Sequence, residues 1–169
     1  MKNKVEEFFV QVDSADTVIG PIEKNVCHQQ GILHCTVSVL VFNKSAQLLM
    51  QLRPESKDLY PGLYTLSATG HVDWTQDGPE DYEQAAQREY LEELGKKPAK
   101  PLVVQFTAEF DAPGHHTMTR VYYTQDEGPF HTNPKEVEEV KFLSLEEIRK
   151  LVGKITPPSE MILKRLRLI

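Results

Sequence analysis

The chain has 169 residues, of which 40% are hydrophobic and 26% are charged, and its formal net charge is −6. This length suits one domain with a proper core, so we expect residues 1–169 to form a single domain. The acidic balance argues against a protein that binds a nucleic-acid backbone, because such proteins carry a basic stripe.

The N-terminal segment MKNKVEEFF carries acids where a signal peptide has an apolar stretch. The longest apolar run, at 37–42, is far below the roughly 18 residues that indicate a membrane span. Cys27 and Cys35 make no disulfide framework, and free thiols fit a reducing compartment. We therefore expect a cytoplasmic protein without a membrane contact.

The first part of the chain is predicted to form strands. Residues 1–30 are an extension with a strand in 5–13, followed by a polar turn and a second short strand in 14–20. The β-branched segment 32–42 predicts a long central strand. Its hairpin partner and a further strand are predicted at 46–53 and 63–69.

A helix is predicted to start at Gly78-Pro79 and to end at Gly95. Proline is favoured at the first helical position, and glycine is favoured just after the last turn. The residues whose spacing gives this helix an inward apolar stripe are Ala85, Ala86, Tyr90 and Leu94.

The rest of the chain is predicted to form strands at 101–110, 118–125 and 137–145. A capping box, Ser144 with Glu147, starts a helix, and a C-terminal helix starts at Thr156-Pro157. The apolar positions expected to pack this last helix on the domain are Met161, Ile162, Leu166 and Ile169. This order of elements indicates the α/β (α+β) class, with a mixed β-sheet covered by helices.

Three carboxylates are crowded into one turn of the first predicted helix. Glu89, Glu92 and Glu93 lie on one face, where like charges repel by about 0.2–0.5 kcal/mol per pair. Such crowding suits a hard divalent cation, and Mg²⁺ commonly bridges carboxylates to substrate phosphates. The alternative is a solvated acidic face with scattered salt bridges, but Glu89 faces Glu93 and not a base. The cluster therefore predicts a site for a hard divalent cation such as Mg²⁺.

The acids belong to a longer pattern, E-x7-R-E-x-x-E-E-x-G, which runs from Glu80 through Arg88 to Gly95. This pattern resembles the Nudix box, G-x5-E-x7-R-E-U-x-E-E-x-G-U, in which U is a bulky apolar residue. The box would occupy residues 70–96, and residues 5–95 resemble the isopentenyl-diphosphate-isomerase-like branch of the Nudix superfamily.

Two positions depart from the box. The leading glycine, Gly70, precedes Glu80 by ten residues instead of six, which predicts a four-residue insertion at or near 74–77. Lys96 occupies the final apolar position.

The resemblance implies the Nudix fold, a mixed β-sheet sandwiched between helices with a loop–helix–loop catalytic motif. It also implies a metal-dependent hydrolase that cleaves a diphosphate linkage in a nucleoside diphosphate derivative or a related small molecule. The implied ligands of Mg²⁺ or Mn²⁺ are Glu89, Glu92, Glu93 and the carbonyl of Gly70. Arg88 would orient the glutamates through a charge-assisted bond.

The sequence determines the general base and the substrate contacts less closely than the metal ligands. Glu92 and Glu109 are the candidates for the base, and the alternative for Glu109 is an exposed acid on an edge strand. Arg53 and Lys57 match positions that contact the diphosphate in the isomerases. Two bases four residues apart fit a phosphate clamp, although plain surface solvation is the alternative.

Isopentenyl-diphosphate delta-isomerase is the alternative function within the same fold. His34 and His71 match metal-site histidines of the isomerases, whereas Cys27, with His28 beside it, stands at another histidine position. Thr69 stands where the isomerases have a catalytic cysteine, and the segment HHTMTRVYY carries no acid. The hydrolase is therefore favoured. A non-catalytic Nudix-like binding module is a third alternative, but such modules usually lose box carboxylates that this chain keeps.

The box does not identify the substrate, because specificity lies in loops and strands outside it. Nucleoside diphosphates, nucleotide sugars, dinucleotides and isoprenoid diphosphates all fit. The segments expected to set specificity are 71–79, 111–117 and 126–134. His115-His116 is expected in a turn, as a solvated or substrate-edge pair.

Overall fold

The structure is a computed structural model that describes residues 6–112 and 114–169. Val5, where the predicted first strand begins, lies outside these residues. The strands are β1 Phe8–Val12, β2 Val18–Glu23, β3 His34–Phe42, β4 Leu48–Leu52, β5 Tyr64–Thr65, β6 Ala68–His71, β7 Trp74–Thr75, β8 Gly78–Pro79, β9 Val103–Ala112, β10 His115–Gln125 and β11 Glu139–Leu143. The helices are α1 Lys24–Gln30, α2 Tyr82–Leu94, α3 Leu145–Lys150 and α4 Pro157–Arg165.

A mixed sheet, nine-stranded over the described residues, is the centre of the fold and confirms the predicted class. Its main path is β11-β4-β3-β1-β2, and β10 runs parallel to β3 with β9 antiparallel beyond it. Strands β3 and β4 pair at Phe42 and Leu48, after which β4 pairs with β5 while β3 pairs with β6. The sheet therefore opens beside β3, and this opening positions the site.

Alternate side chains of β3 enter two hydrophobic cores. Val37 and Val39 pack in the first core with the inner face of α2, whereas Leu40 packs in the second core against α3 and α4. Helices thus cover both faces of the sheet. The predicted inward stripe of α2 is confirmed, since Ala85, Ala86, Tyr90 and Leu94 are all fully buried. The four apolar positions predicted for the last helix also pack on the second core.

The predicted start of α2 is wrong by three residues. The helix begins at Tyr82, because Asp81 and Gln84 form a capping box in which each side chain accepts from the other's backbone N–H, at 2.8 and 3.1 Å. Gly78–Pro79 instead forms β8, which pairs with β7.

Helix α1 was not predicted. Glu23 caps its N-terminus by accepting from two backbone N–H groups, and Gly31 ends it in the left-handed conformation with φ 61°. Gly31 was the signal in the sequence, because a glycine with positive φ commonly ends a helix.

No helix within residues 6–112 and 114–169 has both the length and the apolar character needed to cross a membrane.

Buried Asp126, which directly follows β10, connects the end of that strand to the end of α2. Its carboxylate accepts from the Tyr90 hydroxyl at 2.9 Å, from Lys96 Nζ at 2.7 Å, and from the backbone N–H groups of Ala99 and Gly128 at 3.1 and 2.9 Å. Burial alone raises the pKa of Asp126, but the Lys96 ammonium and the other donors lower it by more. The pKa therefore lies below its ordinary value.

Asp126→Asn is expected to lower the free energy of unfolding by about 1.5–3 kcal/mol, the range for hydrogen bonds to charged groups. Because folding lowers this pKa, the contribution is present above the unfolded pKa of about 3.9 and is lost as pH falls through the folded pKa. Urea unfolding near neutral pH and at about pH 3 tests both points, and the difference should shrink in acid. Exposed Asp77→Asn is the control, and equal stabilities near neutral pH would contradict the prediction.

Candidate functional site

A cavity of about 550 Å³ lies beside the opening in the sheet. The structure brings seven of the predicted site residues into its wall, and these are Arg53, Lys57, Gly70, Arg88, Glu89, Glu92 and Glu93. They come from the segments after β4, from β6 and from α2. Glu109 is not among the lining residues.

Glu93 is buried, and two donors hold its carboxylate. Gln51 Nε2 at 2.8 Å and the Thr69 backbone N–H at 2.9 Å both donate to Oε2. Burial raises the pKa of Glu93, and the negative charge of Glu89 raises it further. Sequence reasoning missed Gln51, although a polar residue inside the apolar strand β4 was a signal. The Oε1 atom of Gln51 is buried without a hydrogen-bond partner.

Glu89 lies directly against Gly70. A Cβ atom at position 70 would lie 2.0 Å from the Glu89 Cδ, so a side chain there would displace the carboxylate. Burial raises the pKa of Glu89, and the neighbouring Arg88 only partly opposes the rise. A divalent cation would stabilise the charged forms of both Glu89 and Glu93, and carboxylate oxygens are the ligands that Mg²⁺ and Mn²⁺ prefer. The carboxylates present therefore fit the implied metal.

Arg88 connects these groups. Its guanidinium donates to both carboxylate oxygens of Glu80, at 3.0 and 2.9 Å, and to Glu89 Oε1 at 2.8 Å. It also donates to the His71 carbonyl at 2.8 Å. Glu92 lies 3.5 Å away, and its side chain is 54% exposed at the edge of the cavity. Arg88 is thus placed to orient Glu89 more firmly than Glu92.

The departure from the box between Gly70 and Glu80 is a hairpin. Strands β7 and β8 pair with each other, and the hairpin closes where the Glu80 N–H donates to the Asp73 carbonyl at 2.9 Å. The Asp73 N–H donates in turn to Glu80 Oε2 at 3.1 Å. The extra residues therefore extend outward, and Glu80 still reaches Arg88.

Arg53 and Lys57 line the cavity but already have partners. Arg53 donates through Nε and Nη2 to the Leu59 carbonyl, at 3.1 and 2.8 Å. Lys57 forms an ion pair with Glu136 at 2.5 Å. A bound diphosphate would have to compete with Glu136 for Lys57.

Glu109 lies on β9, and its carboxylate is 2.7 Å from His116 Nε2. His116 Nδ1 lies 3.0 Å from the Gly31 carbonyl. The hydrogen bond with Glu109 raises the pKa of His116. This pair is separate from the carboxylates of α2.

Four imidazoles meet at one end of the cavity, where His28, His71 and His115 line the wall and His34 is buried behind them. The Nε2 atoms of His28 and His71 are 3.3 Å apart, and single ring nitrogens of His34, His71 and His115 all lie within 4.8 Å of one another. Burial lowers the pKa of all four rings, with those of His34 and His115 at about 4, so the rings are neutral near neutral pH. His34 Nε2 is buried without a partner. Neutral imidazoles with free lone pairs can hold a transition metal.

The expectation that His115-His116 lies in a turn is wrong. Strand β10 begins at His115 and runs parallel to β3, with Thr117 opposite His34. Residues that alternate along a strand share a face, so His115 lies on the same face of the sheet as Thr117 and His34. His28 comes from the unpredicted helix α1, which is why spacing alone did not assemble the cluster.

Comparison with known proteins identifies the family. A family model described as NUDIX domain matches residues 33–166. An isopentenyl-diphosphate Delta-isomerase of Serratia proteamaculans is 31% identical over 147 residues, which cover 85% of this chain and 80% of that protein. An uncharacterized Nudix hydrolase of Pseudomonas aeruginosa is 33% identical over 149 residues, which cover 86% of this chain and 85% of that protein.

The protein DR0079 from Deinococcus radiodurans, a solved structure, has the same fold, with a TM-score of 0.74 at 22% identity over 94% of this chain and 98% of that one. The chain belongs to the Nudix family, and its relatives include isopentenyl-diphosphate isomerases. Membership supports diphosphate-cleaving chemistry in general and a divalent metal, whereas the isomerases fit the alternative reaction equally.

Gly70→Ala is expected to lower the affinity for Mn²⁺ by about tenfold or more, because the new Cβ displaces the Glu89 carboxylate from an oxygen-ligand site. Titration with Mn²⁺ followed by electron paramagnetic resonance measures this affinity. The control is Gly153→Ala, where φ is 86° and a Cβ meets nothing within 4 Å. It strains the backbone without touching the site. Unchanged Mn²⁺ affinity in Gly70→Ala would show that the Gly70–Glu89 contact does not shape the metal site.

Proposed function

We propose that the chain is a metal-dependent hydrolase that cleaves a diphosphate linkage in a nucleoside diphosphate derivative or a related small-molecule diphosphate. The observation that carries this proposal is the pair Glu89 and Glu93, two carboxylates held in the cavity wall with raised pKa values. Glu92 stands beside them, and Gly70 leaves the space that Glu89 fills.

Glu89, Glu92, Glu93 and the Gly70 carbonyl would hold Mg²⁺ or Mn²⁺. Such an ion neutralises a diphosphate and lowers the pKa of a bound water. The chain itself fixes the carboxylates. Arg88 orients Glu89, and Gln51 with the Thr69 N–H holds one oxygen of Glu93. Preorganised groups of this kind lower the cost of assembling the site for each turnover.

Glu92 is our assignment for the general base. Its side chain is the most exposed of the three clustered glutamates, and its nearest cation, Arg88, is 3.5 Å away. It can therefore take a proton from an attacking water and release it to solvent. Glu109 is the weaker candidate, because it lies outside the cavity lining and is paired with His116.

Arg53 and Lys57 would bind the diphosphate. Both line the same cavity as the carboxylates, and the Arg53 guanidinium keeps donors beyond the two that bond the Leu59 carbonyl. Lys57 would exchange its ion pair with Glu136 for a phosphate oxygen. The positive charges of Arg53 and Lys57 would thus offset the negative charges of the glutamates and of the diphosphate.

The second candidate function is isomerisation of isopentenyl diphosphate, and the four-imidazole cluster favours it. Two features oppose it. Thr69 lines the cavity at the position of the expected cysteine, and a threonine hydroxyl is too weak an acid to protonate an alkene. Strand β10 presents His115, Thr117 and Thr119 to the cavity, with no carboxylate.

We expect hydrolysis of at least one member of a panel of nucleotide, sugar and isoprenoid diphosphates, lost in EDTA and restored by Mg²⁺ or Mn²⁺. Glu93→Gln should lower kcat/KM for the best substrate by about 10²-fold or more, because positioned acid–base groups contribute ~10²–10⁴-fold and metal affinity falls as well. Phosphate release measures both effects. Full turnover in excess EDTA would contradict the proposal.

The matched control is Glu83→Gln, the same change at an exposed position of the same helix. Thermal stability separates a functional role of Glu93 from a structural one. Folding raises the pKa of Glu93, so stability is lost as pH rises from its unfolded pKa, about 4.3, through the folded pKa. Glu93→Gln should therefore melt at the same or a higher temperature than the wild type in EDTA near neutral pH, and this gain should vanish at about pH 4. A strongly destabilised Glu93→Gln would assign the carboxylate a structural role instead.

No conversion of isopentenyl diphosphate to dimethylallyl diphosphate above background is expected, because Thr69 replaces the acid that the reaction needs. Product analysis by mass spectrometry of Mg²⁺- and Zn²⁺-supplemented samples measures this. A His34→Ala variant is the control for activity that depends on the imidazole cluster. Conversion by the wild type that His34→Ala abolishes would overturn the prediction in favour of the isomerase.

A further inference from the structure

Ser67 bridges strands β3 and β4 at the point where they separate. Beyond the pair Phe42 and Leu48, each strand turns to a different partner. The Val41 N–H donates to Ser67 Oγ at 2.8 Å, and the Ser67 hydroxyl donates to the Leu49 carbonyl at 2.6 Å. Ser67 is fully buried. This bridge therefore fixes the segment between β5 and β6 inside the opening of the sheet.

Gln51 connects the Ser67 bridge to the proposed metal site. Its buried side chain lies on the same face of β4 as Leu49, which packs in the first core with α2. Gln51 Nε2 donates to the Ser67 carbonyl at 3.2 Å and to Glu93 Oε2 at 2.8 Å. Gln51 is not among the residues that line the cavity, whereas Glu93 is. Gln51 can therefore influence a ligand in the cavity through Glu93.

The neighbours of the Gln51 amide determine its orientation. Rotation of the amide by half a turn would place Oε1 against the Ser67 carbonyl and against Glu93 Oε2, and both of these oxygens act as acceptors. In the orientation that the structure has, Gln51 Oε1 is buried and has no hydrogen-bond partner among the described residues. An unsatisfied buried acceptor is unfavourable. The arrangement therefore leaves this oxygen without a partner and keeps both N–H groups in use.

The two oxygens of Glu93 have different surroundings. Oε2 accepts from Gln51 and also from the Thr69 backbone N–H at 2.9 Å. Within residues 6–112 and 114–169, no donor bonds Glu93 Oε1. A cation that bound both oxygens would compete with the two N–H donors for Oε2. Oε1 is therefore the oxygen that Glu93 can offer to a cation without such competition.

We propose that Gln51 is a positioning residue for the divalent cation. Oriented by the Ser67 carbonyl, it holds Glu93 Oε2 and leaves Glu93 Oε1 as the oxygen that binds the ion. This inference rests on the proposed function for the presence of the metal, and it adds a residue behind the cavity wall. Groups that hydrogen-bond a metal ligand from behind restrict its orientation before the ion binds. The Ser67 bridge connects that orientation to the opening of the sheet.

The test is Gln51→Met, which keeps the length and the unbranched shape of the side chain and removes both donors. We expect the dissociation constant for Mn²⁺, measured by electron paramagnetic resonance, to rise about tenfold or more, as is typical when such a partner of a metal ligand is lost. Hydrolysis of the best diphosphate should need correspondingly more Mg²⁺ for its half-maximal rate. The rate at saturating Mg²⁺ should return to that of the wild type, because the bound ion then fixes Glu93.

Two controls separate positioning from the loss of a polar side chain. Gln47→Met makes the same change just before β4, where Gln47 accepts from Asn43 Nδ2 at 2.9 Å outside the cavity lining. Thr124→Val removes a buried hydroxyl that donates to the Lys100 carbonyl, also outside the cavity lining. Both controls should keep the wild-type affinity for Mn²⁺.

If Gln51→Met does not fold by circular dichroism, Gln51→Asn provides the comparison, since its amide is one methylene too short to keep both contacts. Unchanged affinity for Mn²⁺, an equal loss in Thr124→Val, or a rate that saturating Mg²⁺ does not restore would overturn the inference even if hydrolysis is found. A weakened Mn²⁺ site in a chain that hydrolyses no diphosphate would overturn the proposed function and support the role of Gln51.

Discussion

The geometry of the site depends on the Arg88 guanidinium. A single planar fork bonds Glu80 at the entry to α2, Glu89 within the helix and the His71 carbonyl on β6. It thereby locks the helix to the strand that carries Gly70. Lysine could not replace it, because a point charge has no fixed fork to satisfy three acceptors in different directions. The close contact between Gly70 and Glu89 follows from this connection, whereas Gln51 and the Thr69 N–H hold Glu93.

Burial of the carboxylates gives the site its chemical character. Glu89 and Glu93 lie beside the opening in the sheet, where burial raises the pKa of both and the charge of Glu89 raises that of Glu93 further. A purely structural helix would gain nothing from this arrangement. The unfavourable negative charge becomes useful once a divalent cation and a diphosphate are present. The cation relieves the repulsion between the carboxylates, and it also neutralises the phosphates. The fold thus accepts local electrostatic cost at the place where a ligand removes it.

The cavity combines features of two reactions known in the family. Its carboxylate end fits diphosphate cleavage, whereas its other end holds four imidazoles, among them His34 and His71, the two expected from the resemblance to the isomerases. Between them, Thr69, Thr117 and Thr119 provide hydroxyls in place of strong acids. Strands β3, β6 and β10 carry the hydroxyls and three of the four imidazoles, whereas the carboxylates come from α2 and His28 comes from α1.

The sequence by itself determined the family, the mixed sheet, the inward stripe of α2 and the acids in the box, since these depend on spacing along one element. The interval between Gly70 and Glu80 could be read only as an insertion, and the structure shows the hairpin that lets Glu80 return to Arg88. Tertiary structure alone brought His28 from α1 and His115 from β10 into one cluster and placed Glu109 outside the cavity. It also joined Thr36 with Thr119. These groups are far apart in the chain, and strand pairing, which decides their contacts, leaves no periodic signal in a single sequence.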